Sequence, residues 1–205
     1  MAKPIKTVLD WLDDHAVTKP TGIAIYGISG GGYLTALAAE ADPRIKAWIA
    51  ATPIYNVGES ILYEFSAALK APGLLLNTFM SLTGKLNESA AINLDKYAWM
   101  YGDHDFRHAT GMLLDQSQVV DYTRITCPSL FLVAEGEGVE LKRQAQEIYR
   151  NFMQRGIPVV LRETTAVEGA DGHCQVNNLR MAHQVIFDWL DKQFVHASED
   201  VRLIV

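Results

Sequence analysis

The segment Gly27-Ile28-Ser29-Gly30-Gly31 constrains the fold of this chain more than any other feature. It follows a short apolar run over 23–26 and precedes an Ala- and Leu-rich stretch over 33–41 with the pattern of a helix. A serine in a sharp turn between a strand and a helix needs small neighbours, because the backbone segments there lie too close for a Cβ atom. The segment therefore predicts that Ser29 stands at the carboxyl end of a buried strand.

The same alternation of strand and helix patterns returns later in the chain. Apolar runs predict four strands, at 23–27, 45–51, 129–134 and 158–163. Apolar residues at helical spacing predict helices at 4–15, 33–41, 141–155 and 177–194. Strands that alternate with helices predict an α/β fold, with a parallel sheet flanked by helices, over a single domain of residues 1–205.

The stretch from 54 to 125 departs from this alternation. It is dense in aromatic and aliphatic residues and contains no clear strand pattern. Helical stretches are predicted at about 58–70, 73–83, 88–99 and 108–119. We interpret 54–125 as a helical insertion, or lid, packed over the end of the sheet.

Composition excludes several classes of function. Hydrophobic residues make up 49% and charged residues 20%, which is typical of a soluble globular domain. A net charge of −6 argues against nucleic acid or an anionic membrane as a partner. The two cysteines, Cys127 and Cys174, are too few for a disulfide framework and lack metal-site spacing, so we expect reduced thiols and a cytoplasmic protein.

A serine nucleophile needs a positioned base, and His173 is the best placed of the six histidines. It lies in a loop after the last predicted strand and just before the last helix. The other five occupy terminal segments, a helix or the insertion: His15, His196, His183, His104 and His108. The sequence therefore predicts Ser29 as nucleophile and His173 as general base. We interpret Cys174, the neighbour of His173, as a packing residue.

The acid that orients the base is expected in the loop after the strand at 129–134. A carboxylate there would hold the tautomer of the imidazole and stabilise its protonated form. Glu137, between two glycines, is the first choice, Glu135 the second and Glu140 a weaker third. Asp171 is close to the base in sequence and is interpreted as a residue that shapes its loop.

Two further features concern anions and metals. The amide of Gly30, at the start of the predicted helix, is expected to donate to the oxyanion of the reaction, and the helix dipole favours that charge. Asp103-His104-Asp105 contains metal-ligating residue types, but adjacent residues on an irregular segment rarely converge on one ion. The sequence predicts no metal site.

Three segments together carry a family resemblance: residues 23–33, the Cys127-Pro128 strand with its acidic loop, and residues 169–178. They resemble one branch of the α/β hydrolases, which includes the FrsA-like proteins, 2,6-dihydroxypseudooxynicotine hydrolase and fungal pigment hydrolases that shorten polyketide chains. The resemblance implies a triad of Ser29, Glu137 and His173 and no metal or organic cofactor. It also implies hydrolysis of an ester, or of a C–C bond next to a ketone, in a small carbonyl substrate, often in secondary metabolism.

The chain departs from this family at its N-terminal side. Family members carry a long N-terminal part with the first strands of the sheet, whereas here the nucleophile is residue 29. The loop that supplies a second oxyanion amide would lie upstream, and the strand at 23–27 would present an apolar edge. We expect a homodimer partner or a second chain to cover that edge. The alternative function is that of a truncated, catalytically weak homologue that acts through binding or association.

Overall fold

A sheet of four parallel strands lies at the centre of the computed structural model, which describes residues 3–15, 22–103 and 105–194. Short 3₁₀ turns lie at Tyr122–Arg124 and His173–Gln175. The other elements are α1 Lys3–His15, β1 Ile23–Ile28, α2 Gly30–Ala41, β2 Ile45–Ala51, α3 Val57–Lys70, α4 Gly73–Leu86, α5 Glu88–Tyr101, α6 Phe106–Gln116, β3 Ser129–Ala134, α7 Val139–Gln154, β4 Val159–Thr164 and α8 Leu179–Phe194.

The sheet has the strand order β1-β2-β3-β4, and every neighbouring pair is parallel. The α/β fold class and the four predicted strands are thus confirmed. Because parallel strands end at the same edge of a sheet, the loops that follow β1, β3 and β4 meet there. Ser29, Glu137 and His173 belong to those three loops.

Aromatic packing fills one face of the sheet. Trp48 of β2, Phe131 of β3 and Phe152 of α7 are fully buried. The rings of Trp48 and Phe131 meet edge to face at a centroid distance of 4.9 Å. The indole Nε1 of Trp48 donates to Thr35 Oγ1 on α2 at 3.1 Å, so the polar atom of this ring is satisfied inside the core.

The other face of the sheet packs against α8. Ile49, Leu132, Ile186 and Trp189 belong to this second cluster, and the buried side chain of Cys174 joins it. Burying one such aliphatic side chain contributes about 1.5–3 kcal/mol, so the two clusters fix the strands firmly. The carboxyl ends of β1, β3 and β4 therefore form a rigid base for the loops that follow them.

The chain divides into two compact units. One unit contains Met1–Tyr55 and Val120–Val205, and the other contains Asn56–Val119 with helices α3 to α6. Helix α6 begins at Phe106, two residues before the predicted start. Its start is set by Asp105, whose carboxylate accepts from the backbone N–H groups of Arg107 and His108. The interpretation of 54–125 as a lid stays a prediction.

Helix α2 is longer than predicted, because it starts at Gly30 and not at Tyr33. The glycine-rich run has the pattern of a turn, but Gly27 lies within β1, Gly30 already starts α2, and Ser29 alone separates the strand from the helix. None of the helices within the described ranges is both long and apolar enough to cross a membrane.

Among the described strands, β1 and β4 are the two edges of the sheet. β1 pairs only with β2, and its residue Ile28 is 41% exposed.

Candidate active site

Ser29 occupies a strained turn between β1 and α2. Its backbone has φ 54° and ψ −120°, a conformation that costs a residue with a Cβ about 1–3 kcal/mol. The backbone N–H of Ser29 donates to the carbonyl of Ala51 at 2.6 Å, which ties the turn to the end of β2. The strain therefore persists because the neighbouring strand holds the turn in place.

Two glycines allow this turn to pack so tightly. A Cβ atom on Gly27 would lie 2.1 Å from the carbonyl oxygen of Gly31, and one on Gly32 would lie 2.2 Å from the carbonyl oxygen of Thr52. Both contacts are with backbone atoms, which cannot move aside without distorting the turn. Around Gly30 and Gly31, by contrast, a Cβ would meet no described atom within 4 Å.

The N-terminus of α2 lies directly after the serine. The first amides of a helix have no partner within the helix and carry partial positive charge. Gly32 N–H donates back to the carbonyl of Ser29 at 2.7 Å, whereas the amide of Gly30, the first residue of α2, follows the serine immediately. Its place is suited to the predicted role of oxyanion donor.

His173 comes from the loop after β4 and reaches the serine with its outer nitrogen. The distance from His173 Nε2 to Ser29 Oγ is 2.9 Å, a normal hydrogen bond. The two residues are 144 positions apart in the chain. The imidazole side chain is 47% exposed, so this residue lies at an accessible surface.

Glu137 holds the opposite side of the imidazole ring. Its Oε2 lies 2.6 Å from His173 Nδ1, while its Oε1 accepts from Thr52 Oγ1 at 2.5 Å and from Cys174 N–H at 3.0 Å. The side chain is 1% exposed. Burial acts to raise the pKa of Glu137, but the bonds from His173, Thr52 and Cys174 together lower it below the usual value. Glu137 is therefore held as a carboxylate.

The other two glutamates of this loop have different partners. Glu135, the second choice from the sequence, accepts from Ala166 N–H at 2.9 Å. Glu140, the third choice, lies in the first turn of α7 and pairs with Arg143 at 2.7 Å. Among the three candidates, the structure brings Glu137 to His173. Asp171 accepts from the Asn177 side chain at 3.0 Å and shapes the loop, as its position suggested.

Cys174 contributes more to the site than packing. It is fully buried in the core, yet its Sγ lies 3.3 Å from His173 Nε2. The contact with the Cys174 sulphur is the largest cause that raises the pKa of His173 above its usual value, followed by the bond with Glu137, while burial opposes both. Sequence reasoning missed this contact, and the only signal for it was adjacency to the base.

The Asp103-His104-Asp105 segment has a structural role where it is described; His104 lies outside the described residues. Asp105 caps α6, and Asp103 contacts His108 Nδ1. Within the described ranges, the His, Cys and acidic side chains close enough to share an ion are Glu137, His173 and Cys174, with ligand atoms within 4.8 Å of one another. Glu137 approaches Nδ1 and Cys174 approaches Nε2, so these side chains contact opposite ends of the imidazole.

Comparisons with known proteins find similarity to hydrolases. The model of the prolyl oligopeptidase family, Peptidase_S9, matches residues 3–70. The α/β hydrolase xenA of Xenoacremonium sinensis is 27% identical over 217 residues, which cover 91% of this chain and 49% of xenA. The chain thus spans about half the length of this curated relative. The comparisons confirm the resemblance to α/β hydrolases, fungal ones among them.

Solved structures show the same fold. An esterase from Pyrococcus furiosus superposes with a TM-score of 0.55 at 14% identity, over 95% of this chain and 61% of the esterase. The α/β hydrolase GrgF from Penicillium sp. sh18 superposes with a TM-score of 0.51 at 16% identity, over 95% of this chain and 71% of GrgF. The sheet with its flanking helices is therefore a partial α/β-hydrolase fold, as the sequence predicts.

Proposed function

We propose that this chain, which has the fold of α/β hydrolases, is a serine hydrolase with a triad of Ser29, His173 and Glu137. One observation carries the proposal: an unbroken line of hydrogen bonds runs from Glu137 Oε2 through both nitrogens of His173 to Ser29 Oγ, with distances of 2.6 Å and 2.9 Å. The nucleophile is hydrogen-bonded to the base, and the base to the acid, which is the arrangement that a triad requires.

The reaction that fits this line has two halves. Ser29 Oγ attacks the carbonyl carbon while its proton moves to His173 Nε2, and the Gly30 amide stabilises the negative oxygen that forms. His173 then gives the proton to the leaving group, and an acyl-serine remains. In the second half, His173 deprotonates a water molecule that attacks the acyl carbon, and it returns this proton to Ser29 Oγ as the C–Oγ bond breaks and the acid product leaves. Throughout, Glu137 fixes the tautomer of the imidazole and stabilises its cation.

The substrate class we propose is an ester, or a ketone whose adjacent C–C bond is cleaved. In the second case the electron pair of the broken bond leaves as an enolate, and His173 protonates it. The family resemblance carried by residues 23–33 and 169–178 extends the proposal to a role in secondary metabolism, with aromatic or polyketide substrates. A panel of aryl esters and aromatic β-diketones, followed by product analysis, separates the two types of cleavage.

The alternative function, a catalytically weak homologue that acts by association, is not favoured. The strained backbone of Ser29 and the buried carboxylate of Glu137 both cost free energy, and a chain without catalytic activity gains nothing from either.

The open edge of β1 supports the proposal that a homodimer partner or a second chain covers it. Light scattering coupled to size-exclusion chromatography gives the mass of the assembly, and a monomer at all concentrations would contradict this proposal. The two free thiols, Cys127 and Cys174, support a cytoplasmic location.

A fluorophosphonate probe tests the proposed function, because it reacts with activated serines. We expect the wild-type chain to be labelled, Ser29→Ala not to be labelled, and Ser81→Ala to be labelled like the wild type. Ser81 is an exposed residue of α4 and serves as the matched control. Equal labelling of the wild type and Ser29→Ala would contradict the proposal.

A further inference from the structure

The acid of this site is a glutamate, which has one more rotatable bond than an aspartate and therefore more freedom to lose. Its carboxylate is 1% exposed, so bulk water does not orient it. We propose that Thr52 is a positioning residue that, together with the backbone amide of Cys174, holds the Glu137 carboxylate in the orientation that His173 requires. This inference rests on the proposed function and names a residue that neither the sequence motifs nor the triad itself includes.

The two carboxylate oxygens of Glu137 accept hydrogen bonds from different partners. Thr52 Oγ1 and Cys174 N–H occupy Oε1, at 2.5 Å and 3.0 Å, which leaves Oε2 directed at His173 Nδ1. An ionised carboxylate only accepts hydrogen bonds, so the Thr52 hydroxyl is the donor. Rotation of the carboxylate would break both bonds at Oε1 at once. The two donors therefore restrain the torsion angle that separates a glutamate from an aspartate.

Thr52 is itself held by rigid elements. It follows the last residue of β2, is fully buried, and its carbonyl oxygen lies where a side chain on Gly32 would be. Three residues later, Tyr55 N–H donates to the side chain of Gln144 at 3.0 Å. Gln144 is fully buried within α7.

Helix α7 connects this segment back to the acid. The side chain of Gln144 donates to Glu140 in the first turn of α7 at 2.8 Å, and α7 begins at Val139, two residues after Glu137. The segment that contains Thr52 is thus tied to α7 through Tyr55, and Glu137 lies two residues before α7, although Thr52 and Glu137 are 85 positions apart in the chain. The donor and the acceptor lie in short segments directly after β2 and directly before α7, so these elements restrict their spacing.

Loss of the Thr52 hydroxyl should affect chemistry through His173. The donor favours the ionised carboxylate and so contributes to the lowered pKa of Glu137. Without it, Oε1 keeps one donor, the carboxylate turns more freely, and the Nδ1–H hydrogen bond weakens. We expect the rate of labelling by the fluorophosphonate probe to fall about ten- to a hundredfold, the usual effect of one buried hydrogen bond to a charged group.

The test compares Thr52→Ser with Thr52→Ala, which differ by the hydroxyl group alone. We expect Thr52→Ser to label nearly as fast as the wild type and Thr52→Ala to label about ten- to a hundredfold more slowly. Thr110→Val is the matched control, since this buried threonine donates to Phe106 of its own helix. Thermal unfolding of each variant shows whether it is folded. Equal labelling rates for the serine and alanine variants would overturn the inference.

A second readout does not depend on hydrolysis. In a Ser29→Ala background, the proton between His173 Nδ1 and Glu137 should give a far-downfield NMR resonance. We expect this resonance to persist in Thr52→Ser and to broaden or shift upfield in Thr52→Ala. An unchanged resonance in Thr52→Ala would contradict the positioning role of Thr52 even if Ser29 proves not to be a nucleophile, so the two proposals fail in distinguishable ways.

Discussion

The two ends of the triad differ in how firmly they are held. At the acid end, the Glu137 side chain is 1% exposed and has three hydrogen-bond partners. At the nucleophile end, His173 is 47% exposed, and Gly30 has open space where a side chain would be. The charge that must stay fixed is buried and restrained, whereas the atoms that must meet a substrate are accessible. Glu137 thus orients the base from the buried side, and the substrate can reach the base from the exposed side.

The largest expected effect comes from removing the negative charge at the buried end. Glu137→Gln keeps the shape of the side chain but stabilises the wrong tautomer of His173, so we expect kcat/KM to fall about 10⁴-fold. Glu135→Gln is the matched control in the same loop, because its side-chain oxygen still accepts from Ala166. Stopped assays with an aryl ester measure both variants. Similar losses in the two variants would mean that Glu137 is not the acid.

Acid pH should remove the same charge reversibly. The pKa of Glu137 is lowered in the folded chain, so its contribution to stability is complete above the ordinary pKa of a glutamate and is lost as pH falls below it. Glu137→Gln lacks this titration. We therefore expect the free energy of unfolding of the wild type to fall more steeply below about pH 4 than that of the variant, as measured by urea unfolding, and parallel pH dependences would contradict this.

The backbone of the elbow gives the next effect. Gly32→Ala forces a Cβ against the carbonyl oxygen of Thr52, so we expect a loss of about 2–3 kcal/mol in the free energy of unfolding. Gly31→Ala meets no described atom within 4 Å, and we expect a change within about 0.5 kcal/mol. Urea unfolding measures both. An elbow that tolerates alanine equally at both positions would contradict the close approach of β1, α2 and Thr52.

The smallest expected effect is a shift in pH dependence at the accessible end. Cys174 is the largest cause of the raised pKa of His173, so Cys174→Ala should lower that pKa. Because the neutral imidazole is the base, the acid limb of the kcat/KM profile should move to lower pH. Cys127→Ala, at the other free thiol, is the control and should leave the limb in place. A limb that stays or moves to higher pH in Cys174→Ala would show that the sulphur does not tune the base.

The fold and the position of Ser29 in the turn after β1 could be predicted from the sequence because their signals are local. The run from Ile23 to Gly32 contains the strand, the turn and the helix start in adjacent residues, and the alternating pattern gives the parallel sheet. His173 could be chosen because parallel strands bring their following loops to one edge. The four strands were therefore predicted within one or two residues of their observed limits.

The identity of the acid and the contacts of Thr52 and Cys174 could not be predicted, because they depend on distances that a sequence does not contain. Three glutamates of one loop had the right chemistry, and only the loop geometry directs Glu137 to His173 while Glu135 and Glu140 find other partners. The Thr52 contact joins residues 85 positions apart, and no motif marks it. Cys174 was interpreted as a packing residue. It is one, but its Sγ also lies 3.3 Å from His173 Nε2, a contact that adjacency in the sequence does not determine.

Mass-spectrometric mapping of the fluorophosphonate adduct tests the central claim most directly. The claim is that the buried Glu137 and the accessible His173 activate one serine. We predict a single adduct per chain on the peptide that contains Ser29, with a labelling rate that collapses in Glu137→Gln and survives in Glu135→Gln. An adduct on a different residue, or an adduct on Ser29 that forms equally fast in Glu137→Gln, would contradict it.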